Sequence, residues 1–198
     1  MKVSRHLEQL NQAIHGRVTL GEIVHRMKHS GFGLIILFLC LPFLQPLPMA
    51  GLSTAFGAVI LVLGIQLILN RSSVWIPTFI SKRELSEKTG HLLLDAATKF
   101  FKFIETFVRP RWAFIAARER LIGFMIVAAA IVLMLPIPIP LSNVICAAPI
   151  ALMALALLEK DGLMAVLGFL GCAFSWAFHI AVFVIGFEGV KMLFERFF

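Results

Sequence analysis

Charged side chains cut this sequence into polar and apolar blocks. No Asp, Glu, Lys or Arg lies between Lys28 and Arg71, and none lies between Arg120 and Glu159. A helix crossing a bilayer needs about 20 apolar residues, so each block is too long for one span. Each is also interrupted: L-P-F-L-Q-P-L-P-M-A-G-L-S fills Leu41–Ser53, and L-P-I-P-I-P-L-S-N fills Leu135–Asn143. Proline inside a helix removes a backbone donor and clashes one turn back. Backbone freed within hydrocarbon is tolerated only where protein buries it or a cavity wets it. The pattern predicts two proline-broken helical hairpins, with arms near Phe32–Leu44 and Leu52–Leu69, then Leu121–Leu135 and Val144–Leu158. At 1.5 Å per residue these arms reach roughly 20–27 Å against a hydrocarbon core of about 30 Å. The hairpins are therefore expected to be re-entrant or short-spanning. Residues 163–187 form the one stretch long enough for an unbroken span.

The polar blocks read as surface helices. Leu7, Leu10 and Ile14 fall at helical spacing within residues 4–15. Thr19 and Glu22 form a T-x-x-E capping box for a second helix, which Gly31 and Gly33 end. Ser81 and Glu84 repeat that signature. A third amphipathic helix, about Leu85–Val108, sets Leu93, Ala96, Phe100, Phe103 and Phe107 on one face, and Pro110 stops it. The tail Glu188–Phe198 is short and amphipathic. A shift of 90 residues superposes Pro46 and Pro48 on Pro136 and Pro138, Gly33 on Gly123, and Ser53 on Asn143. This predicts an internal repeat within a single domain of residues 1–198: repeat 1 at about 4–80, repeat 2 at about 81–162, and the C-terminal span at 163–187. The expected fold class is an all-α integral membrane protein of surface amphipathic helices, two broken hairpins and a C-terminal transmembrane helix.

Composition strengthens the membrane reading. Hydrophobic residues make up 60% and charged ones 15%, against roughly 25% charged in soluble domains, and mean hydropathy is +0.93. The net charge of +7 does not point to nucleic acid, because the basic residues flank apolar segments. Membrane lipids are the expected partners. Residues 71–120 hold ten Lys/Arg and five Asp/Glu, so the positive-inside rule places them, with the basic N-terminus, in the cytoplasm of a multi-pass protein. The polar, basic first thirty residues predict no cleavable signal peptide. Cys40, Cys146 and Cys172 sit in apolar stretches without paired spacing, and read as small buried side chains.

The full pattern resembles the ExoD family of bacterial exopolysaccharide-synthesis membrane proteins. The carrying residues are V-T-L-G-E (Val18–Glu22), G-F-G (Gly31–Gly33), L-P-F-L-Q-P-L-P (Leu41–Pro48) and G-I-Q-L-I-L (Gly64–Leu69). W-I-P (Trp75–Pro77), R-P-R-W (Arg109–Trp112), P-I-P-I-P-L-S-N (Pro136–Asn143) and E-K-D-G (Glu159–Gly162) follow in order. The likeness covers about residues 7–190. It departs at Ser142, where the family usually has Gly, and at Lys160, where it often has Arg. The resemblance implies a bacterial inner-membrane protein connected with exopolysaccharide production. It brings no reaction and no catalytic residues.

Ionisable residues within membrane are functional candidates by default, and this chain has almost none. His179 is the titratable group well inside an apolar span, either a hydrogen-bonded structural residue or a proton relay. Gln45, Ser53, Thr54, Gln66, Ser142 and Asn143 cluster at or near the breaks. They satisfy backbone that proline leaves unpaired, or they line a polar transport site with the helix N-termini. Arg109, Arg111 and Trp112 read as headgroup anchors or a phosphate site. Glu159, Lys160 and Asp161 close a tight interfacial turn or contact the charged middle segment, and Glu159 and Asp161 are candidate headgroup or phosphate contacts. No nucleophile–base pair, metal-ligand spacing or nucleotide loop stands out, so no enzyme, no cofactor and no metal is expected. Two functions remain. One is a small transporter or lipid-linked-intermediate handling protein with a polar site between broken helices, working as a homodimer. The other is a non-catalytic scaffold for polysaccharide-synthesis proteins.

Overall fold

A computed structural model describes residues 18–19, 30–45, 51–71, 73–75, 84–85, 98, 111–135 and 141–197, with side chains of the last stretch to Gly186. Within these residues the chain is helical apart from one short pairing. Val18–Thr19 (β1) runs antiparallel to Glu84–Leu85 (β2), with Thr19 opposite Glu84. Thr19 and Glu84, each expected in a capping box whose other member lies outside the described residues, are opposite one another in this ladder. The surface helices expected at 4–15 and 19–30, and all but Leu85 and the helical Thr98 of the one at 85–108, lie outside the described residues.

The first hairpin begins with α1 (Ser30–Cys40), which tightens into a 3-10 turn at Leu41–Leu44 with Pro42 in its first turn. Helix α2 (Leu52–Ile68) returns. After the four-residue helix α3 (Ala113–Ala116), the second hairpin is formed by α4 (Glu119–Leu133) and α5 (Ser142–Glu159). Helix α6 runs unbroken from Gly162 to Phe197. Helix α5 and residues Gly162–Gly186 of α6 are long and apolar enough to cross a membrane. Two expectations need correction. Gly31 and Gly33 do not end a helix but sit inside α1. The tail is no separate element, since α6 continues through Glu188.

Glycines explain the packing. A Cβ built on Gly33 would lie 2.7 Å from Leu158 Cγ and 2.8 Å from the Ala154 carbonyl oxygen of α5. One built on Gly123 would lie 2.8 Å from Leu67 Cβ and 3.0 Å from the Gly64 carbonyl oxygen of α2. Small residues let apolar helices approach this closely, which is what holds them together where no hydrophobic effect operates between them. Helix α1 thus packs antiparallel along α5, and α2 packs antiparallel along α4, while α4 touches α5 and α1 touches α2. The four arms close a ring. Helix α6 lies against α5 and α4 on its outside.

Several buried positions along the ring lie 90 residues apart. Phe32, Gly33, Ile36, Cys40 and Phe43 are buried, and so are Ile122, Gly123, Ile126, Ala130 and Leu133. Gly57, Ile60, Leu63, Gly64 and Gln66 are buried, and so are Ala147, Ile150, Met153, Ala154 and Ala156. Backbone geometry keeps the same offset. Gly51 and Leu141, the residues before α2 and α5, have φ of 90° and 69°, and Asn70 and Lys160, after those helices, have φ of 55° and 52°. A left-handed leucine is uncommon, and Leu141 adopts this backbone at the position where the first hairpin uses glycine.

Helix α5 contains Pro149 in its interior. Its ring faces α6, where a Cβ on Gly171 would come within 2.9 Å of Pro149 Cγ. Gly168 is equally tight against Met153 and the Pro149 carbonyl. The glycines of α6 make room for the proline.

Candidate functional site

Antiparallel packing within each hairpin and between them puts both turns at one end of the ring. A direct contact joins them: the Thr54 hydroxyl of α2 donates to the Met134 carbonyl at the end of α4, at 3.0 Å. Ser53 and Ser142 are buried in the first turns of α2 and α5, Asn143 is half-buried, and Gln45 is exposed at the end of the 3-10 turn. Neither helix N-terminus has a side-chain cap or an acidic residue in its first turn. Five of the sequence-predicted polar residues therefore share this end with Thr54 in contact across the hairpins. Phe43 and Phe56 pack edge to face beneath the first turn, with centroids 5.5 Å apart.

Gln66 does not join them. It lies near the far end of α2, where its Oε1 accepts the Trp75 N–H at 2.7 Å and its Nε2 donates to the Trp75 carbonyl at 3.4 Å. It pins the chain as it leaves the helix. At that same far end the Gly162 N–H donates to the Arg111 carbonyl at 2.6 Å, and a Cβ on Gly162 would run into the Trp112 carbonyl. Asp161 is buried, and its Oδ1 accepts the Leu163 N–H at 2.9 Å, capping α6. A carboxylate is favourable there, at the positive end of the helix dipole. Asp161 thus caps the start of α6. Glu159 is half-buried, while the Arg111 and Trp112 side chains are exposed, and Arg109 lies outside the described residues. Exposed Trp75, Trp112, Arg71, Arg118, Arg120 and Lys160 share this end, the aromatic and basic mixture favoured at a membrane interface.

His179 is buried on α6 and has partners the sequence reading missed. Its Nδ1 lies 2.7 Å from the Ser175 carbonyl oxygen one turn back. A carbonyl only accepts, so Nδ1 carries the proton and Nε2 presents its lone pair. That nitrogen faces Cys146 Sγ of α5 at 3.7 Å, and Ser175 Oγ lies 3.3 Å from the same sulfur. Phe178 packs edge-on to the imidazole at 5.2 Å. Cys146 is therefore more than a small apolar filler. Cys172 makes a weak contact to the Met125 carbonyl at 3.6 Å, and all three cysteines are free and buried. The S-x-x-x-H spacing at Ser175 and His179 was open to detection, because residues four apart share a helix face. Cys146 was not, because its place depends on how α5 meets α6. Among the described residues no cluster of three His, Cys, Asp or Glu could hold a metal ion.

Residues 3–181 match the family model described as Exopolysaccharide synthesis, ExoD. The chain is 38% identical over 157 residues to Protein ExoD of Rhizobium meliloti (strain 1021), a match covering 77% of this chain and 65% of that protein. The match thus spans less than two thirds of that relative's length. An uncharacterized protein of Synechocystis sp. (strain ATCC 27184 / PCC 6803 / Kazusa) is 27% identical over 175 residues, covering 87% of this chain and 82% of that protein. No solved structure matches the chain.

Proposed function

Because the chain belongs to the ExoD family, we propose that it is a bacterial inner-membrane protein of exopolysaccharide production that acts as a small transporter handling lipid-linked intermediates. The two hairpins are duplicated units whose proline-broken turns meet around a polar site, as in transporters built from repeats. The N-terminus and residues 71–120 are cytoplasmic, and a homodimer is the working unit, placed among polysaccharide-synthesis proteins. It carries out no catalysis of its own.

The observation that carries this reading is the shared end of the two turns, joined by Thr54 and Met134. Two breaks at one end make a single polar mouth instead of two separate defects. The 90-residue offset in burial and in the positive-φ residues supports duplication. The exposed Arg, Lys and Trp residues at the opposite end support a cytoplasmic base.

The test places single cysteines at Gln45, Ser53, Ser142 and Asn143 in a chain lacking its own three. Membrane-impermeant thiol reagents are applied from each side. Labelling of all four from the extracytoplasmic side is expected. Protection from both sides, with a control at Arg71 labelling normally, would favour a scaffold whose hairpins only pack. Labelling of the two turns from opposite sides would overturn the shared mouth.

A further inference from the structure

The seam between α5 and α6 carries a polar knot within otherwise apolar surroundings. Cys146, Ser175 and His179 are all buried, and they converge from two helices. We propose that these three side chains form a proton-binding site, and that its occupancy is coupled to opening of the α5–α6 seam. The proposal goes beyond the transport reading and stands without it, since it concerns a proton and a helix contact rather than any carried substrate.

With a neutral imidazole every group is matched. Nδ1–H donates to the Ser175 carbonyl, the Cys146 thiol donates to Nε2, and the Ser175 hydroxyl donates to Cys146 Sγ. A second ring proton breaks this closed set. Both Nε2–H and S–H then point into one 3.7 Å gap, and sulfur is only a weak acceptor. Either the thiol turns to donate to Ser175 Oγ, 3.3 Å away, with the hydroxyl giving up its own bond to the sulfur, or the helices part.

Among the described residues nothing nearby takes up the charge. On α5, Cys146 is the titratable side chain between Ser142 and Leu158, and α4 has none between Leu121 and Leu135. On α6, Cys172 and His179 are the titratable residues between Gly162 and Gly186. From α4 the described groups facing α6 are the carbonyls of Met125 and Ala128. The neutral set therefore fits the closed seam, while the protonated set leaves a buried charge that opening of the seam would hydrate. Coupling of this kind is reciprocal: what opens the seam favours the proton, and the proton favours opening. Access is short, because Cys146 is one helical turn from Ser142 and the hairpin mouth. The first hairpin has no such site, since half-buried Phe56 stands 90 residues before Cys146.

Trp176 offers a native reporter, because it lies on α6 beside His179 and its Nε1 donates to the Ala128 carbonyl of α4 at 3.2 Å. In full-length protein in detergent, Trp75→Phe and Trp112→Phe leave it as the sole indole. Its emission is expected to shift reversibly between about pH 8 and pH 5. His179→Gln, which keeps a hydrogen-bonding side chain but binds no proton there, should abolish the shift. An emission that stays constant, or a shift that survives His179→Gln, overturns the proposal. A second measurement needs no substitution. Amide exchange over residues 142–148 and 172–180 of the unaltered protein, corrected for intrinsic pH dependence, should be faster at the acid end. Equal protection at both ends of the range would show that proton binding, if any, leaves the seam closed, and would overturn the coupling.

Discussion

The two hairpins share a plan and differ in what is laid against it. Phe32, Gly33 and Ile36 line α1 as Ile122, Gly123 and Ile126 line α4, and each glycine admits the return arm of the other hairpin. The first hairpin then closes its turn with an aromatic pair, Phe43 on Phe56. The second sets Leu133 and Cys146 at those positions and receives α6, with Ser175 and His179 upon it. The lesson is that packing positions follow the plan, while polar chemistry gathers where the plan is broken. Family membership fits this division, since it links the chain to exopolysaccharide synthesis without naming a chemical step.

The largest expected effect tests the shared plan. Gly33→Val and Gly123→Val should each destabilise the protein by about 2–3 kcal/mol, because overpacking a tight contact costs of that order and backbone atoms bound both sites. Thermal unfolding in detergent reads this, and a harmless substitution at either glycine would break the equivalence. Exchanging the odd pair comes next. Cys146→Phe should cost about 2 kcal/mol by overpacking the seam under α6. Phe56→Cys should cost less, about 1–2 kcal/mol, since Phe56 is only half-buried and a large-to-small change leaves a void. Thr54→Val removes one hydroxyl donor from Met134 and should cost about 1 kcal/mol. Its counterpart Val144→Thr should be near neutral by the same melting measurement, unless the two turns are closer to symmetric than the single bond indicates. A last pair lies in the backbone. Gly51→Leu meets open space but a φ of 90°, so it should cost about 1–2 kcal/mol, whereas Leu141→Gly should change stability by less than about 1 kcal/mol.

Much of the fold was legible because charge and proline mark it. Arms read at Leu52–Leu69 and Val144–Leu158 became Leu52–Ile68 and Ser142–Glu159. That read at Leu121–Leu135 became Glu119–Leu133. Each boundary sits where a charged residue or a broken turn makes continuation costly. Glycine misled, because the same residue serves as a stop in water and as a contact between apolar helices. Gly33 looked like the first and acts as the second. Gln66 was grouped with the breaks by its polarity, yet its amide holds the Trp75 backbone at the other end of α2. The Cys146 contact depended on tertiary pairing and left no trace in spacing.

Pro149 has a mechanical meaning that its packing against Gly171 conceals. Having no N–H, it leaves without its helical donor the carbonyl of Ile145, the residue just before Cys146, whose sulfur His179 faces. Helix α5 stays helical through this missing bond, and its first two turns, Ser142 to Ala148, carry Cys146. In α2 the residue 90 positions earlier is Val59, which keeps its N–H. Of the two returning arms, only the second carries a proline within its helix.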